Sequence, residues 1–370
     1  MSESKLPLPF YLKFSQILTG IIALVIILYV GQGIILPLVF AVFIAIVLNP
    51  VVNRLQRIGI NRILSIVITL VVTLALITLL TWFISYQIAG FVDTLPALKK
   101  NTTVLYDQFT EWMHKTFHLS RSTVTRYLNQ LRSQGIDSSS SYIGQTLVTI
   151  TGAFGVLILM PVYVFLVLLY KPLILGFIAM LFKNSDRKVV TEVVGESRTL
   201  IQSYLYGLLV EMALVAVMNS GGLLLIGMKS AILLGVIAAI LNVIPYLGGV
   251  IATALAMLVA VATKGPSEAW LVLFVFLTVQ LIDNNFLVPK IVASQVRINA
   301  LASIVAVLMG GVLWGVPGMF IAIPVTALCK VVFDHIEGLK PFGLLLGDTM
   351  PRFGTIAAFF NPGAKEKLKK

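Results

Sequence analysis

Asp283, Asn284 and Asn285 stand together in LIDNNFLVPK, residues 281–290, directly after an apolar run that begins at Ala269. An aspartate near the middle of a membrane helix costs about 2.5–3.5 kcal/mol on insertion scales, so such a residue marks a site. A carboxylate there can hold a proton or a sodium ion, and the amides beside it can hydrogen-bond a hydroxylated solute. Pro289 frees a backbone carbonyl one turn earlier. Glu211 is a second carboxylate in an apolar stretch, 204–226, which also carries Asn219. Asn242 and Gln280 add further amides. A polar, partly unwound point inside a membrane segment is where a transporter holds its cargo. The alternative places Asp283 at the membrane surface, where it costs little, with Asn284 and Asn285 capping a helix end.

The elements that position these residues are hydrophobic helices. The chain has 370 residues, 58% hydrophobic and 11% charged, with mean hydropathy +1.00. Soluble domains carry about 25% charged residues, so the composition is that of an all-α polytopic membrane protein. Lysine and arginine number 27 against 15 acids. No basic stripe with interleaved aromatics appears, so nucleic acid is not the expected partner, and the excess reads as topology signal and contact with anionic membrane lipids. The single Cys329 rules out an intrachain disulfide and a cysteine-rich metal site.

In chain order, 17–30 is a first span, expected to be a retained helix rather than a cleaved signal peptide. Gly31 and Gly33 turn the chain into 34–47, which Asn49 and Pro50 are expected to stop. Arg54, Arg57 and Arg62 follow in a short loop, which places that loop and the N-terminus in the cytoplasm. Residues 63–84 cross outward. From 90 to 142 the chain turns polar, and Val104, Leu105, Phe109, Trp112, Met113 and Phe117 recur at helical spacing, as in an amphipathic extracytoplasmic segment. Within it, Ser133–Ser141 reads as a flexible joint. Glu111, His114 and His118 share a helical face, but nothing completes a zinc ligand set, so no metal site is assigned. Residues 146–170 return inward, and a charged cytoplasmic stretch leads as an amphipathic helix into 204–226.

Two apolar segments are broken by glycine and proline. The first, 231–262, breaks at LNVIPYLGG, which holds Asn242, Pro245, Gly248 and Gly249. The second, 300–333, breaks at GGVLWGVPGM, which holds Gly310, Gly311, Pro317 and Gly318. A shift of 70 residues superimposes Gly248 on Gly318 and Ile251-Ala252 on Ile321-Ala322. Paired broken segments in corresponding positions point to a transport site at the membrane midplane. The same prolines serve equally as kinks in full-length helices, and the glycines as close-packing positions between helices. The expected fold is about six full transmembrane helices plus two broken or re-entrant helical hairpins. Its parts are N-terminal helices (1–90), an outer segment (91–145), a helix with a charged cytoplasmic stretch (146–200), a transport core (201–335) and a basic cytoplasmic tail (336–370).

SYLYGLL (203–209), NVIPYLGG, IDNNFLVPK and GGVLWGVPGMFIAIP, with the early Asn49-Pro50 before an arginine-bearing loop, resemble the autoinducer-2 exporter family of bacterial membrane proteins. The resemblance covers almost the whole chain and is loosest over 90–142. It implies an inner-membrane secondary transporter with helical hairpins in its substrate-bearing half, an elevator-like movement and a homo-oligomer, a pentamer. Related members look like sodium- or lithium-proton antiporters, so the cargo is a small polar solute, the autoinducer-2 signal among them, or a cation.

In this reading Asn242, Pro245, Gly248, Gly249, Gln280, Asn284, Asn285, Gly310, Gly311, Pro317 and Gly318 line the substrate site. Asp283 and Glu211 serve ion coupling. The two hairpin tips would meet the polar point at 283–285. No catalytic residue and no cofactor is expected, because HExxH, GxSxG and Walker sequences are all missing from the chain. A passive channel would instead show polar repeats along one helix. A non-transporting membrane scaffold would use the outer segment as its binding surface.

Overall fold

In a computed structural model of the chain, residues 9–92, 159–180, 187–245, 247–292 and 296–348 are described. The outer-segment expectations over 93–145, including Glu111, His114, His118 and the serine-rich joint, lie outside these residues, as does the tail beyond 348. The elements are α1 (Phe10–Val30), α2 (Gln32–Arg57), α3 (Arg62–Val92), α4 (Leu159–Met180), α5 (Arg187–Leu225), α6 (Ala231–Asn242), α7 (Leu247–Thr263) and α8 (Pro266–Ile282). A π-helical segment (Asp283–Val292), α9 (Ala300–His335) and the short α10 (Lys340–Leu346) complete them. Among the described residues the only extended pairing is an isolated antiparallel bridge between Ile298 and Gly347. By length and composition six stretches could cross a membrane: α2 to α5, α8 with the π-helical segment to Ile291, and α9 taken at its full length. The all-α architecture read from composition is the one observed.

The chain forms two compact units. The first comprises 1–175 and 208–287, the second 176–207 and 288–370. In the first unit, Ile17, Ile21, Leu24 and Ile27 of α1 are each more than half exposed. An outward apolar surface of this kind suits lipid contact rather than water. Helix α2 runs on through Pro37 and Pro50 to Arg57, so Asn49 and Pro50 do not stop it. Membrane helices tolerate an internal proline, and Asn49 is instead turned inward, where its Oδ1 accepts from Lys171 Nζ at 2.9 Å. Asn61 caps α3 by accepting from Leu64 N at 2.8 Å, and Arg62 donates to the Leu168 carbonyl at 2.6 Å. These bonds tie α4 to α2 and α3 over a small-residue core that includes Ala41, Ala45 and Val164.

Helices α6 and α7 form a hairpin. At 1.5 Å per residue α6 is about 18 Å long, too short to cross a bilayer core of about 30 Å. Its end is turned by Ile244 N donating to Leu241 O at 2.8 Å and Gly248 N to Ile244 O at 3.0 Å. A Cβ on Gly248 would collide with the Leu241 carbonyl and stand 2.8 Å from Asn242 Cα, so only glycine lets α7 start this close to α6. The hairpin packs with α5 and α8 around Leu223, Ala238, Ala256, Ala260 and Phe276.

In the second unit α9 also turns back on itself. The helix breaks at Trp314 (φ −137°, ψ 16°) and Gly315 (φ 63°, ψ −146°). A Cβ on Gly310 would lie 2.5 Å from Gly318 O and 3.0 Å from Ala322 Cβ. In an unbroken helix residues 310 and 322 would be about 18 Å apart, so the arms 300–313 and 316–335 fold against each other. Gly315 takes the left-handed φ, and Pro317 falls in the first turn of the second arm, where its missing N–H has no partner to lose.

The glycine contacts predict opposite outcomes for two alanine substitutions. Gly248→Ala should destabilise the protein by about 1–3 kcal/mol through overpacking. Gly221→Ala, in α5 with nothing within 4 Å of its Cβ position, should be neutral or stabilise by up to about 1 kcal/mol. Thermal unfolding of both variants in detergent checks the pair.

Candidate functional site

The site lies where α5, α6 and α8 converge in the first unit, and small residues bring the three helices together. A Cβ on Gly235 of α6 would meet Ser220 N at 2.5 Å, and one on Gly222 of α5 would collide with Val275 of α8. Close approach of this kind is how membrane helices pack without a solvent-driven core. On α5, Glu211, Val215 and Asn219 recur every four residues and share one face. Asn242 is the last residue of α6, and Asp283 stands where α8 passes into the π-helical segment.

Asn242 joins the two acids. Its Nδ2 donates to Asp283 Oδ2 at 3.0 Å and to Glu211 Oε1 at 3.3 Å, one hydrogen to each. Asp283 is 2% and Glu211 6% exposed. Among the described residues neither carboxylate is paired with a lysine, arginine or histidine. Asp283 Oδ1 and Asn219 Oδ1 are both buried without a hydrogen-bond partner. Both residues line a crevice with Asn242, Gly249 and Gln280, closed by apolar groups such as Val215, Ala238 and Phe276. Its volume is about 10 Å³, close to what one water molecule or one bare cation fills.

The donor set is two carboxylates and several amide oxygens. No group of three or more His, Cys, Asp or Glu side chains gathers among the described residues. Hard oxygen donors suit a proton or an alkali cation rather than a thiolate- or imidazole-seeking metal.

The other residues singled out in the sequence divide. Gln280 lines the crevice, and its Nε2 donates to Asn284 Oδ1 at 3.2 Å. Gly249 is needed for that placement, since a Cβ there would stand 2.5 Å from Gln280 Oε1. Asn284 and Asn285 are exposed, and Asn285 Nδ2 donates back to the Leu281 carbonyl at 2.8 Å. Pro245 and Gly248 shape the α6–α7 turn. Gly310, Gly311, Pro317 and Gly318 belong to the second unit, where Gly310 and Gly318 face each other across the fold of α9 and Gly311 faces Met319.

Asn219 joins the crevice although the sequence singled it out only as a polar residue within the span. Its position two turns after Glu211 is the signal that would have found it. Three amides and Asp283 then surround one small space, and Glu211 is joined to it through Asn242.

The profile of the AI-2E family transporter matches residues 18–338. YhhT of Escherichia coli (strain K12) is 27% identical over 343 residues, covering 91% of this chain and 95% of that protein. PerM of the same strain is 28% identical, covering 84% of this chain and 92% of that protein. The AI-2 transport protein TqsA, also of that strain, is 23% identical, covering 85% of this chain and 90% of that protein.

Asn242 is the shared donor, so its loss should be felt through both acids. Asn242→Leu should destabilise the protein by about 1–3 kcal/mol, the cost of leaving buried acceptors unsatisfied. Adding Asp283→Leu should recover part of that loss, because the two residues act as one unit. A double-mutant cycle on chemical or thermal unfolding in detergent tests the coupling, and strict additivity would contradict it.

Proposed function

Because the chain belongs to the AI-2E transporter family, we propose that it is a secondary transporter in which Glu211, Asn242 and Asp283 bind the ion that drives or constitutes transport. One observation carries this reading. Two buried carboxylates share a single amide donor beside an ion-sized crevice, and among the described residues no cationic side chain pairs with either. Two uncompensated negative charges in a low-dielectric site are costly, so the pair is stable when it holds a proton or a cation. Exchange of one for the other at the same oxygens gives sodium- or lithium-proton antiport.

A second reading keeps a small polar solute as cargo. The name of the relative TqsA favours it, as do the Asn242 and Gln280 amides at the crevice. A volume of about 10 Å³ is too small for an organic solute, so that cargo requires the site to open. An elevator-like movement would supply the opening, and the two folded-back helices, each turning at a glycine- and proline-bearing break, support it. The proposal places the chain in the bacterial inner membrane with both termini cytoplasmic, in keeping with Arg54 and Arg57 in the last turn of α2 and Arg62 at the start of α3, on either side of the turn 58–61. It also takes the chain as a homo-oligomer, a pentamer, whose apolar outer helices contact lipid and neighbouring subunits.

Proteoliposomes under an imposed sodium, lithium or proton gradient test the reading, with autoinducer-2 uptake measured alongside. The intact protein should exchange sodium for protons. Asp283→Asn and Glu211→Gln should each slow that exchange by about tenfold or more. Protons compete with the cation for the same oxygens, so the apparent KM for sodium should rise as pH falls. Unchanged flux and unchanged ion dependence in both variants would sink the ion-site assignment. Gradient-driven autoinducer-2 uptake without net cation exchange would favour the solute reading.

A further inference from the structure

Arg297 is the one non-glycine residue with positive φ among the described residues, at 42°. An arginine gains nothing locally from that conformation, and such strain persists only where the surroundings dictate it. Here they do. Asn299 N donates to Leu346 O at 3.0 Å, and Asn299 Nδ2 donates to Leu345 O at 2.7 Å and Gly347 O at 3.0 Å. Ile298 pairs with Gly347, and Asn299 Oδ1 caps α9 by accepting from Ala302 N at 2.8 Å. The chain just after Arg297 is thus clamped to the end of α10.

The clamp presents Arg297 at the wall of a cavity of about 420 Å³ in the second unit. Glu196 and Thr199 of α5 and Lys330 and Asp334 of α9 line it too, over an apolar floor that includes Leu200. The charges sort by their partners. Lys330 Nζ and Asp334 Oδ2 are 2.5 Å apart and neutralise each other. His335 Nδ1 lies 2.8 Å from the Val331 carbonyl, which can only accept, so that nitrogen carries the proton. His335 Nε2 stands 3.7 Å from Glu196 Oε2, a contact that becomes an ion pair only on a protonated ring. Among the described residues the Arg297 guanidinium has no ion-pair or hydrogen-bond partner. Arg297 is therefore an open positive charge on the cavity, and Glu196 is the acid there without a lysine or arginine partner among the described residues. Thr199 Oγ1 gives its hydrogen to Gly195 O at 3.0 Å and is left as an acceptor.

We propose that this cavity binds a zwitterion of the aminoalkyl phosphate class, its phosphate on Arg297 with Lys330 alongside and its ammonium on Glu196 and Thr199. The guanidinium fork matches phosphate oxygens, and the remaining hydrogens of the Lys330 ammonium add a second donor. A simple anion is the poorer match, because it would face Glu196 and Asp334 with nothing to offer them. A cavity of this size is in the range of small-molecule sites. The same headgroup chemistry arrives either as a free solute or on a phosphatidylethanolamine lipid. This site is independent of the ion site proposed above and stands or falls separately.

Calorimetry on the full-length protein in detergent tests it with phosphoethanolamine, inorganic phosphate and ethanolamine as probes. Phosphoethanolamine should bind saturably and at least about tenfold tighter than either half. Arg297→Gly should abolish that binding while Tm holds or rises, because glycine adopts positive φ without strain. Glu196→Gln should weaken phosphoethanolamine and leave inorganic phosphate unaffected. Native mass spectrometry of protein taken from membranes separates the sources. Bound phosphatidylethanolamine lost in Arg297→Gly identifies a lipid headgroup, whereas lipid-free protein that still binds phosphoethanolamine identifies a free solute. Equal affinity for phosphate and phosphoethanolamine would overturn the zwitterion assignment. Binding unchanged by Arg297→Gly, or no binding of either the probe or the lipid, would overturn the site.

Discussion

One amide group governs the buried polar cluster of the first unit. Asn242 has two hydrogens on Nδ2, and it gives one to Asp283 and one to Glu211. Both acids are buried, and the crevice beside them, of about 10 Å³, has space for about one water molecule, too little to solvate both carboxylates in place of those bonds. The position of Asn242 therefore has to be held within hydrogen-bonding tolerance. The end of α6 does this. Gly248 brings α7 onto the Leu241 carbonyl, Gly235 brings α6 onto Ser220, and Asn242 sits between those two contacts. The break in the apolar segment 231–262 thus does more than interrupt a helix. It ends α6 at the residue whose side chain must reach two other helices.

The π-helical segment solves a related problem on α8. Pro289 has no N–H to give, so a regular α-helix through 283–292 would lose a bond and meet a clash. The wider π turn absorbs the proline and changes which side chains share a face. Asp283 is buried, while Asn284 and Asn285 are exposed and bonded within their own helix. Widened turns of this type recur at functional sites because they re-aim side chains without ending the helix. Further along, a Cβ on Gly207 would stand 2.5 Å from the Ile291 carbonyl. The glycine of SYLYGLL is there so that α5 can lie directly on the π-helical backbone, which is why the two motifs occur in one chain.

Much of this was legible in the sequence, for a physical reason. A carboxylate or amide in a long apolar run is expensive, so Glu211, Asn242, Gln280 and Asp283 could each be marked by type and setting alone. The breaks at Pro245 and near Pro317 were legible because glycine and proline cluster there. Patterning gave less about direction and distance. Asn284 and Asn285 share Asp283's setting in the sequence, and only the π geometry separates them from it. Asn219 has no acid beside it in the chain, and its membership of the crevice follows from helical phase with Glu211 rather than from proximity. The course of α2 past Pro50 was hidden because proline's cost in a helix depends on what neighbouring side chains provide. From the sequence Arg297 reads only as a topology and lipid contact, since its positive φ comes from a clamp to Leu345, Leu346 and Gly347, some 50 residues away.

On the reading proposed above, the same electrostatics that make the acid pair a binding site also make it a gate. With both carboxylates ionised and nothing bound, the pair carries two negative charges through the hydrocarbon region, and the cost of desolvating them is highest in that state. Loading one proton or one cation removes much of that cost. Any movement that carries the site across the membrane is then far easier loaded than empty. Obligatory exchange follows from this without a separate lock: an empty site is held back by its own charge, and a loaded one is free to cross. The bridging amide sharpens the effect, because Asn242 donates to both acids and accepts a charge from neither, so it orients the pair while leaving the charge for the transported ion to balance.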